Sequence, residues 1–247
     1  MMSVQYADPL MMKQSNATML VCEEFVDKIN PLWFQPSFWG KNALPIMAGG
    51  RGMAWFIARP EGDWVLRLYG RGGLVVHITK RAHLFLNQYF VRAFRELRLL
   101  TKLHQAGLNV PRPIAAAYRK VAYGWYHAEI IIERVPHAKS FAQHLGSPNG
   151  KLWFEVGRLI RQFHDYGVYH ADLNCHNILI SESGVYLIDF DKGRFRRGQS
   201  WKKSNLQRLR HSIEKLSNTD LNHSPRLRSL WQMLLSGYDA GESGVSQ

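Results

Sequence analysis

Hydrophobic residues repeat along this chain with two different periods. Ala54-Trp55-Phe56-Ile57-Ala58 and Trp64-Val65-Leu66-Arg67-Leu68-Tyr69 are short runs rich in aromatic and aliphatic residues, which marks strands. Pro60-Glu61-Gly62-Asp63 supplies the turn that makes them an antiparallel hairpin. From Leu84 to about Gln105 the step lengthens to three or four residues through Phe90, Phe94, Leu97, Leu100 and Leu103, predicting a helix stopped by Gly107. Val110-Pro111-Arg112-Pro113 reads as an extended crossing, followed by strands at Ala115–Lys120 and Tyr126–Ile132. A second amphipathic helix is predicted over 151–166, carrying Trp153, Val156, Ile160 and Phe163. Short strands at Asn177–Ile180 and Val185–Ile188 flank a Glu182-Ser183-Gly184 turn, while Pro31, Pro36 and Pro45 break any long element in residues 1–45. Strands dominate the first half and helices the second, with a crossing near 133–138. This predicts a bilobal α+β architecture.

Composition changes this picture little. Of 247 residues, 46% are hydrophobic and 21% charged, which suits a globular protein and excludes wholesale disorder. No apolar run approaches the roughly 18 residues of a membrane span, and the stretch Met1 to Thr18 has no signal-peptide pattern. Cys22 and Cys175 are expected to be reduced thiols of a cytosolic protein, and no CxxC pair or histidine cluster has zinc spacing. Charge is the unusual property: Lys+Arg number 32 against Asp+Glu 19, a formal net charge of +13. Between Lys192 and Lys215 stand nine basic residues against the single acid Glu214. So local an excess predicts an anionic partner surface as readily as a solvated helix face. Trp201 and Trp231, within and after this run, are expected in the core, with a membrane interface as the alternative.

The chemistry is carried by two segments. In His170-Ala171-Asp172-Leu173-Asn174-Cys175-His176-Asn177 an aspartate precedes an asparagine by five residues, and Leu187-Ile188 leads into Asp189-Phe190-Asp191. The hairpin predicted in between brings Asp172, Asn177 and Asp189 together. Phosphoryl transfer needs this set: one carboxylate to take the proton of the attacking hydroxyl, and hard oxygen ligands for Mg²⁺. Asp172 suits the first role, and Asn177 with Asp189 the second.

These segments resemble the protein-kinase superfamily, whose catalytic loop runs H-x-D-x-x-x-x-N and whose metal motif begins Asp-Phe. The resemblance implies ATP and Mg²⁺ as cofactors, Asp172 as base, Asn177 and Asp189 as metal ligands, and His170 as the residue orienting the loop. It implies an N-terminal lobe over residues 1–134, an antiparallel sheet with one main helix, and a compact, mainly helical lobe over 135–247, together one kinase-like domain. Gly49, Gly50 and Gly52 would bring backbone N–H groups over the ATP phosphates. Arg67 would hold the α/β-phosphates where the protein-kinase pattern has lysine, with Glu96 as its ion-pair partner. Backbone groups of Glu133 and Val135, in the lobe connection, would bind adenine.

Three features point away from a peptide acceptor. Asn174 stands where protein serine/threonine kinases carry lysine, Asp191 stands where they carry glycine, and 56 residues follow Asp191. The chain is more similar to the bacterial 3-deoxy-D-manno-octulosonic acid (Kdo) kinases. The matching stretches are Gly49-Gly50-Arg51-Gly52 with Ala54-Trp55-Phe56, Leu66-Arg67-Leu68-Tyr69-Gly70-Arg71-Gly72-Gly73, Phe94-Arg95-Glu96-Leu97-Arg98-Leu99-Leu100, Val110-Pro111-Arg112-Pro113, Asp172-Leu173-Asn174, Asn177-Ile178-Leu179 and Ile188-Asp189-Phe190-Asp191-Lys192-Gly193-Arg194. Arginine at position 67 is usual for that family. The resemblance implies transfer of the ATP γ-phosphate to the 4-hydroxyl of Kdo on a lipid A precursor (Kdo-lipid IVA) in lipopolysaccharide core biosynthesis. It further implies a peripheral enzyme on the cytoplasmic side of the bacterial inner membrane, with another small-molecule or protein hydroxyl as the alternative acceptor. Neither nucleic acid nor an obligate protein partner is expected. Arg194, Arg196 and Arg197 are the candidate acceptor contacts, from position and charge.

Overall fold

The structure is a computed structural model that describes residues 8–14, 16–46, 53–69, 83–121 and 124–241. The glycine run at 49, 50 and 52 lies outside the described residues. The chain divides into two compact units: Met1–Ala106 with Pro111–Arg134, and Gly107–Val110 with Val135–Gln247.

The first unit is an antiparallel sheet. Its strands are β1 (Leu10–Gln14), β2 (Ala17–Val21), β3 (Ala43–Pro45), β4 (Met53–Ile57), β5 (Trp64–Leu68), β6 (His83–Leu84), β7 (Pro113–Val121) and β8 (Trp125–Glu133). They run in the order β1-β2-β7-β8-β5-β4-β3, with β6 also pairing β8. The β4–β5 hairpin is as expected, and Gly62, at φ 120°, supplies the backbone its turn requires. Period-two alternation divides the roles along β5. Trp64 and Leu66 enter a core with Phe34, Ile57, Ile114 and Ile131. That core is capped by an aromatic cluster in which Trp33 lies 5.1 Å and Phe25 5.9 Å from the Trp64 ring. Arg67 points the other way, toward the helix. A short helical turn, α1 (Pro36–Trp39), follows Phe34.

The main helix of this unit, α2, spans Arg92–Gln105 rather than starting at Leu84. The apolar residues before it do not serve the helix face: Leu86 and Phe90 are 68% and 57% exposed. The Asn87 side chain accepts from Tyr89 N–H at 2.9 Å and shapes a 3₁₀ turn, after which Val91 is extended. Phe94, Leu97, Leu100 and Leu103 are fully buried, as their spacing predicts, and Gly107 ends the helix at φ 74°.

The second unit holds the helices α3 (Gly150–Asp165), α4 (Ser200–Ser217) and α5 (Pro225–Ala240). Its strands are β9 (Lys139–Ser140), β10 (Val168–Tyr169), β11 (Ile178–Ser181), β12 (Gly184–Leu187) and β13 (Arg194–Phe195). The β11–β12 hairpin pairs Ile178 with Leu187 and Ser181 with Gly184, and Ile188 N–H donates to Asn177 O at 2.9 Å. The ladder thus closes the segment between the two chemical motifs. Trp201 and Trp231 are buried in this unit, which answers the alternative of a membrane interface in favour of the core. Cys22 and Cys175 fall in different units, and burial pushes both thiols up to about 11, so neither is a reactive thiolate near neutral pH.

Candidate active site

The loop at 170–177 is built mainly from hydrogen bonds to its own backbone. Asn177 Nδ2 donates to Asp172 O at 2.8 Å, which ties the two ends of the five-residue spacing together. Asn174 Oδ1 accepts from His176 N–H at 2.8 Å and Asn177 N–H at 3.2 Å. The position where protein kinases carry lysine therefore does turn-forming work here. His170 is buried, accepts from Asp172 N–H at Nδ1 (3.3 Å) and donates from Nε2 to Ile188 O at 2.8 Å. One imidazole thereby joins the catalytic loop to the residue before Asp189. Burial lowers its pKa, outweighing the Ile188 bond and the charges of Asp189 and Asp172, so it works as a neutral strut.

Asp189 has φ 65°, a left-handed backbone that aspartate tolerates better than most residues. The next residue locks it in place: the Phe190 ring is buried, 4.8 Å from His170 and 5.7 Å from Phe163 of α3. The donor set suits a hard cation. With Nδ2 committed to Asp172 O, the Asn177 amide keeps Oδ1 as an acceptor, and Asp189 supplies a carboxylate. Among the described residues no group of three or more His, Cys, Asp or Glu could hold a metal ion.

A helix from behind supports the loop. Asn205 of α4 donates from Nδ2 to His170 O at 2.7 Å, and Ser212, two turns on, accepts from Cys175 N–H at 3.1 Å. Asn205 Oδ1 in turn lies 3.0 Å from His164 Nε2, and His164 Nδ1 lies 2.7 Å from Tyr238 OH. The chain Tyr238–His164–Asn205–His170 links three helices to the catalytic loop. Sequence reading missed it, because polar residues inside helices carry no spacing signal.

In the first unit Arg67 pairs with Glu96, as expected, and Tyr69 OH also donates to the same Glu96 oxygen. Arg67 Nη2 lies 3.2 Å from Tyr69 OH. Glu96 is 2% exposed, and a carboxylate so buried requires such partners. Tyr69 follows Arg67 by two residues, so both side chains fall on one strand face; that signal was legible and went unused. Glu133 donates its N–H to Arg112 O at 2.9 Å and pairs its carboxylate with Arg112 Nη1 at 2.9 Å. These bonds occupy the Glu133 N–H, one of the backbone groups expected to face adenine. Val135, 8% exposed, opens the longer segment of the second unit.

Arg194, Arg196 and Arg197 are exposed. Arg194, on β13, and Arg196 just beyond it hold their guanidinium carbons 5.3 and 4.9 Å from the Tyr169 ring centroid. The basic residues that line the groove beside Asp172 come instead from α4 and include Arg208 and Lys215.

Residues 36–238 match the Lipopolysaccharide kinase (Kdo/WaaP) family. A 3-deoxy-D-manno-octulosonic acid kinase of Stenotrophomonas maltophilia (strain K279a) is 45% identical over 186 residues, 74% of each chain. One from Pasteurella multocida (strain Pm70) is 39% identical over 221 residues, 84% of this chain and 90% of the relative. The solved structure of WaaP in complex with acyl carrier protein matches 92% of this chain and 99% of its own with a TM-score of 0.50 at 14% identity, a likeness of fold. The kinase-like loop geometry and these matches converge: the chain is an ATP-dependent phosphotransferase and belongs to the lipopolysaccharide kinase (Kdo/WaaP) family.

Proposed function

We propose that this enzyme transfers the γ-phosphate of ATP to the 4-hydroxyl of the Kdo residue of Kdo-lipid IVA during lipopolysaccharide core biosynthesis, as a peripheral protein on the cytoplasmic side of the inner membrane. The chemistry rests on one observation, the Asn177 amide whose Nδ2 ties Asp172 O and so leaves Oδ1 as the atom that would serve a cation. The acceptor rests on relatives of 39–45% identity that share the Kdo kinase name. Asp172, exposed on its loop, orients the acceptor hydroxyl and takes its proton. Asn177 and Asp189 would hold Mg²⁺, which when bound offsets charge on the transferring phosphoryl group. Arg67, fixed by Glu96 and Tyr69, contacts the α/β-phosphates. Gly49, Gly50 and Gly52 cover the phosphates, and the Glu133 and Val135 backbone receives adenine.

The test is an assay of the purified protein with ATP, Mg²⁺ and Kdo-lipid IVA, with the new phosphate located on the product. Asp172→Ala should lower turnover at least about 100-fold while ATP binding persists. Undiminished turnover in a folded Asp172→Ala protein overturns the base assignment. Phosphate found anywhere but Kdo overturns the acceptor.

A further inference from the structure

Beside Asp172 runs a groove of about 600 Å³, walled by the catalytic loop and one face of α4. Ser204, Arg208, His211 and Lys215 line it from the helix, and His176 from the loop. The helical residues stand at i, i+4, i+7 and i+11, one row along the helix, while Trp201, Asn205, Leu209 and Ile213 form the buried stripe. The same helix therefore braces the loop with one stripe and walls the groove with the next.

Charge along α4 is distributed unequally. Lys202 is paired with Asp165 at 3.2 Å, and Arg210 with Glu214 at 3.0 Å. Arg208 and Lys215 are exposed and, among the described residues, have neither an ion pair nor a hydrogen bond. Among the described residues, Asp172 is the one carboxylate in the groove lining. The groove thus sets two unneutralised cations, with the imidazoles of His176 and His211, next to the residue that would take the acceptor's proton. Such a surface favours an anion, and a guanidinium matches a planar carboxylate with two parallel N–H donors.

We propose that Arg208 and Lys215 bind the carboxylate of the acceptor sugar acid, so that α4 sets which hydroxyl faces Asp172. This rests on the Kdo-kinase reading. A sugar acid carries its carboxylate and its hydroxyls on one small skeleton, so an anchor in the groove that contains the base fixes the reacting hydroxyl directly. A phosphate elsewhere on the lipid is a looser anchor for the same hydroxyl.

The test compares wild type with Arg208→Gln and Lys215→Gln on three acceptors: Kdo-lipid IVA, its Kdo methyl ester, and the dephosphorylated lipid. Both positions are exposed, so thermal melts and the KM for ATP should match wild type. Each substitution should raise the acceptor KM about tenfold or more. Esterification should cost wild type a similar factor and the variants little, since the two changes remove one interaction. Unchanged acceptor KM in both variants overturns the assignment. So does a factor that follows removal of the lipid phosphates instead of esterification. A wild type that transfers nothing to Kdo-lipid IVA fails the functional reading. Calorimetric titration with free Kdo then decides the subsite: binding weakened in Arg208→Gln supports it, and absent or unaltered binding overturns it.

Discussion

At the scale of single residues, the catalytic loop is held by imidazoles that burial keeps neutral. Asn205 Nδ2 donates to His170 O, so its Oδ1 accepts from His164 Nε2–H, and His164 Nδ1 is left to accept from Tyr238 OH. Neutral imidazole satisfies both bonds, and burial is what keeps it neutral. Burial, opposed by the Asn205 bond, pushes His164 from 6.5 down to about 4. The unfolded chain therefore takes up a proton at this position that the folded chain refuses. The resulting stability is complete above pH 6.5 and drains away as pH falls toward 4, by about 3 kcal/mol. His170, also lowered by burial, acts in the same direction. Urea unfolding should show a steep loss of stability on acidification in wild type. In His164→Gln the protein should be weaker at pH 7.5, with a shallower decline below pH 6.5; an equal decline would remove His164 as the source. Asp172, Asn177 and Asp189 were legible because their chemistry fixes their spacing. His164 and Asn205 were not, because they meet only once three helices have packed.

At the scale of elements, α3 and α5 approach through reciprocal glycines. A Cβ on Gly157 would meet Leu234 O at 1.9 Å, and one on Gly237 would meet Phe154 O at 2.0 Å. Both obstacles are backbone, so no rotamer change relieves them and the helices would have to part. Alanine gains up to about 1 kcal/mol of helix propensity over glycine, less than the overpacking cost of roughly 1–3 kcal/mol or more. Gly157→Ala and Gly237→Ala should each lower stability by at least about 1 kcal/mol in denaturant unfolding. Their effects should combine non-additively, since one contact is opened twice. The loss should reach activity as well, because His164 and Tyr238 ride on these two helices. The α3 helix was legible from its buried Trp153, Val156, Ile160 and Phe163. Sequence reading missed α5, although Ser224-Pro225 opens it and Leu227, Leu230, Trp231 and Leu234 keep helical spacing. The α4 helix offered less: four buried positions in eighteen residues, one of them Asn205. At α2 the signal misled, because Leu86 and Phe90 continue the apolar spacing yet face outward. The hairpin of β1 and β2 likewise went unforeseen.

At the scale of the whole molecule, the charge excess is uneven in its availability. In the first unit, Arg67, Arg112, Arg119 and Arg134 are each paired with a carboxylate, while Lys13, Lys28, Lys41 and Lys102 are exposed. In the second, Lys192, Arg194, Arg196, Arg197 and Lys203 are exposed, with Phe195 48% exposed among them. None of the helices described is long and apolar enough to cross a membrane. The proposed attachment to a membrane surface, where the lipid acceptor lies, would draw on these cations. Near an anionic leaflet each contributes on the order of 1 kcal/mol, and salt screens that attraction over about 10 Å at 0.1 M. The protein should sediment with vesicles containing anionic phospholipid at about 0.05 M salt, remain in solution with purely zwitterionic vesicles, and be released near 0.5 M salt. Replacing Arg194, Arg196 and Arg197 together with glutamine removes three positive charges. Screening and incomplete contact discount their nominal 3 kcal/mol, so binding should weaken about tenfold or more. Thermal stability should hardly change, because the guanidiniums over Tyr169 are exposed pairs worth little. Equal binding to zwitterionic vesicles, or binding that survives high salt, would assign attachment to apolar contact instead, with exposed Phe195 the first side chain to replace.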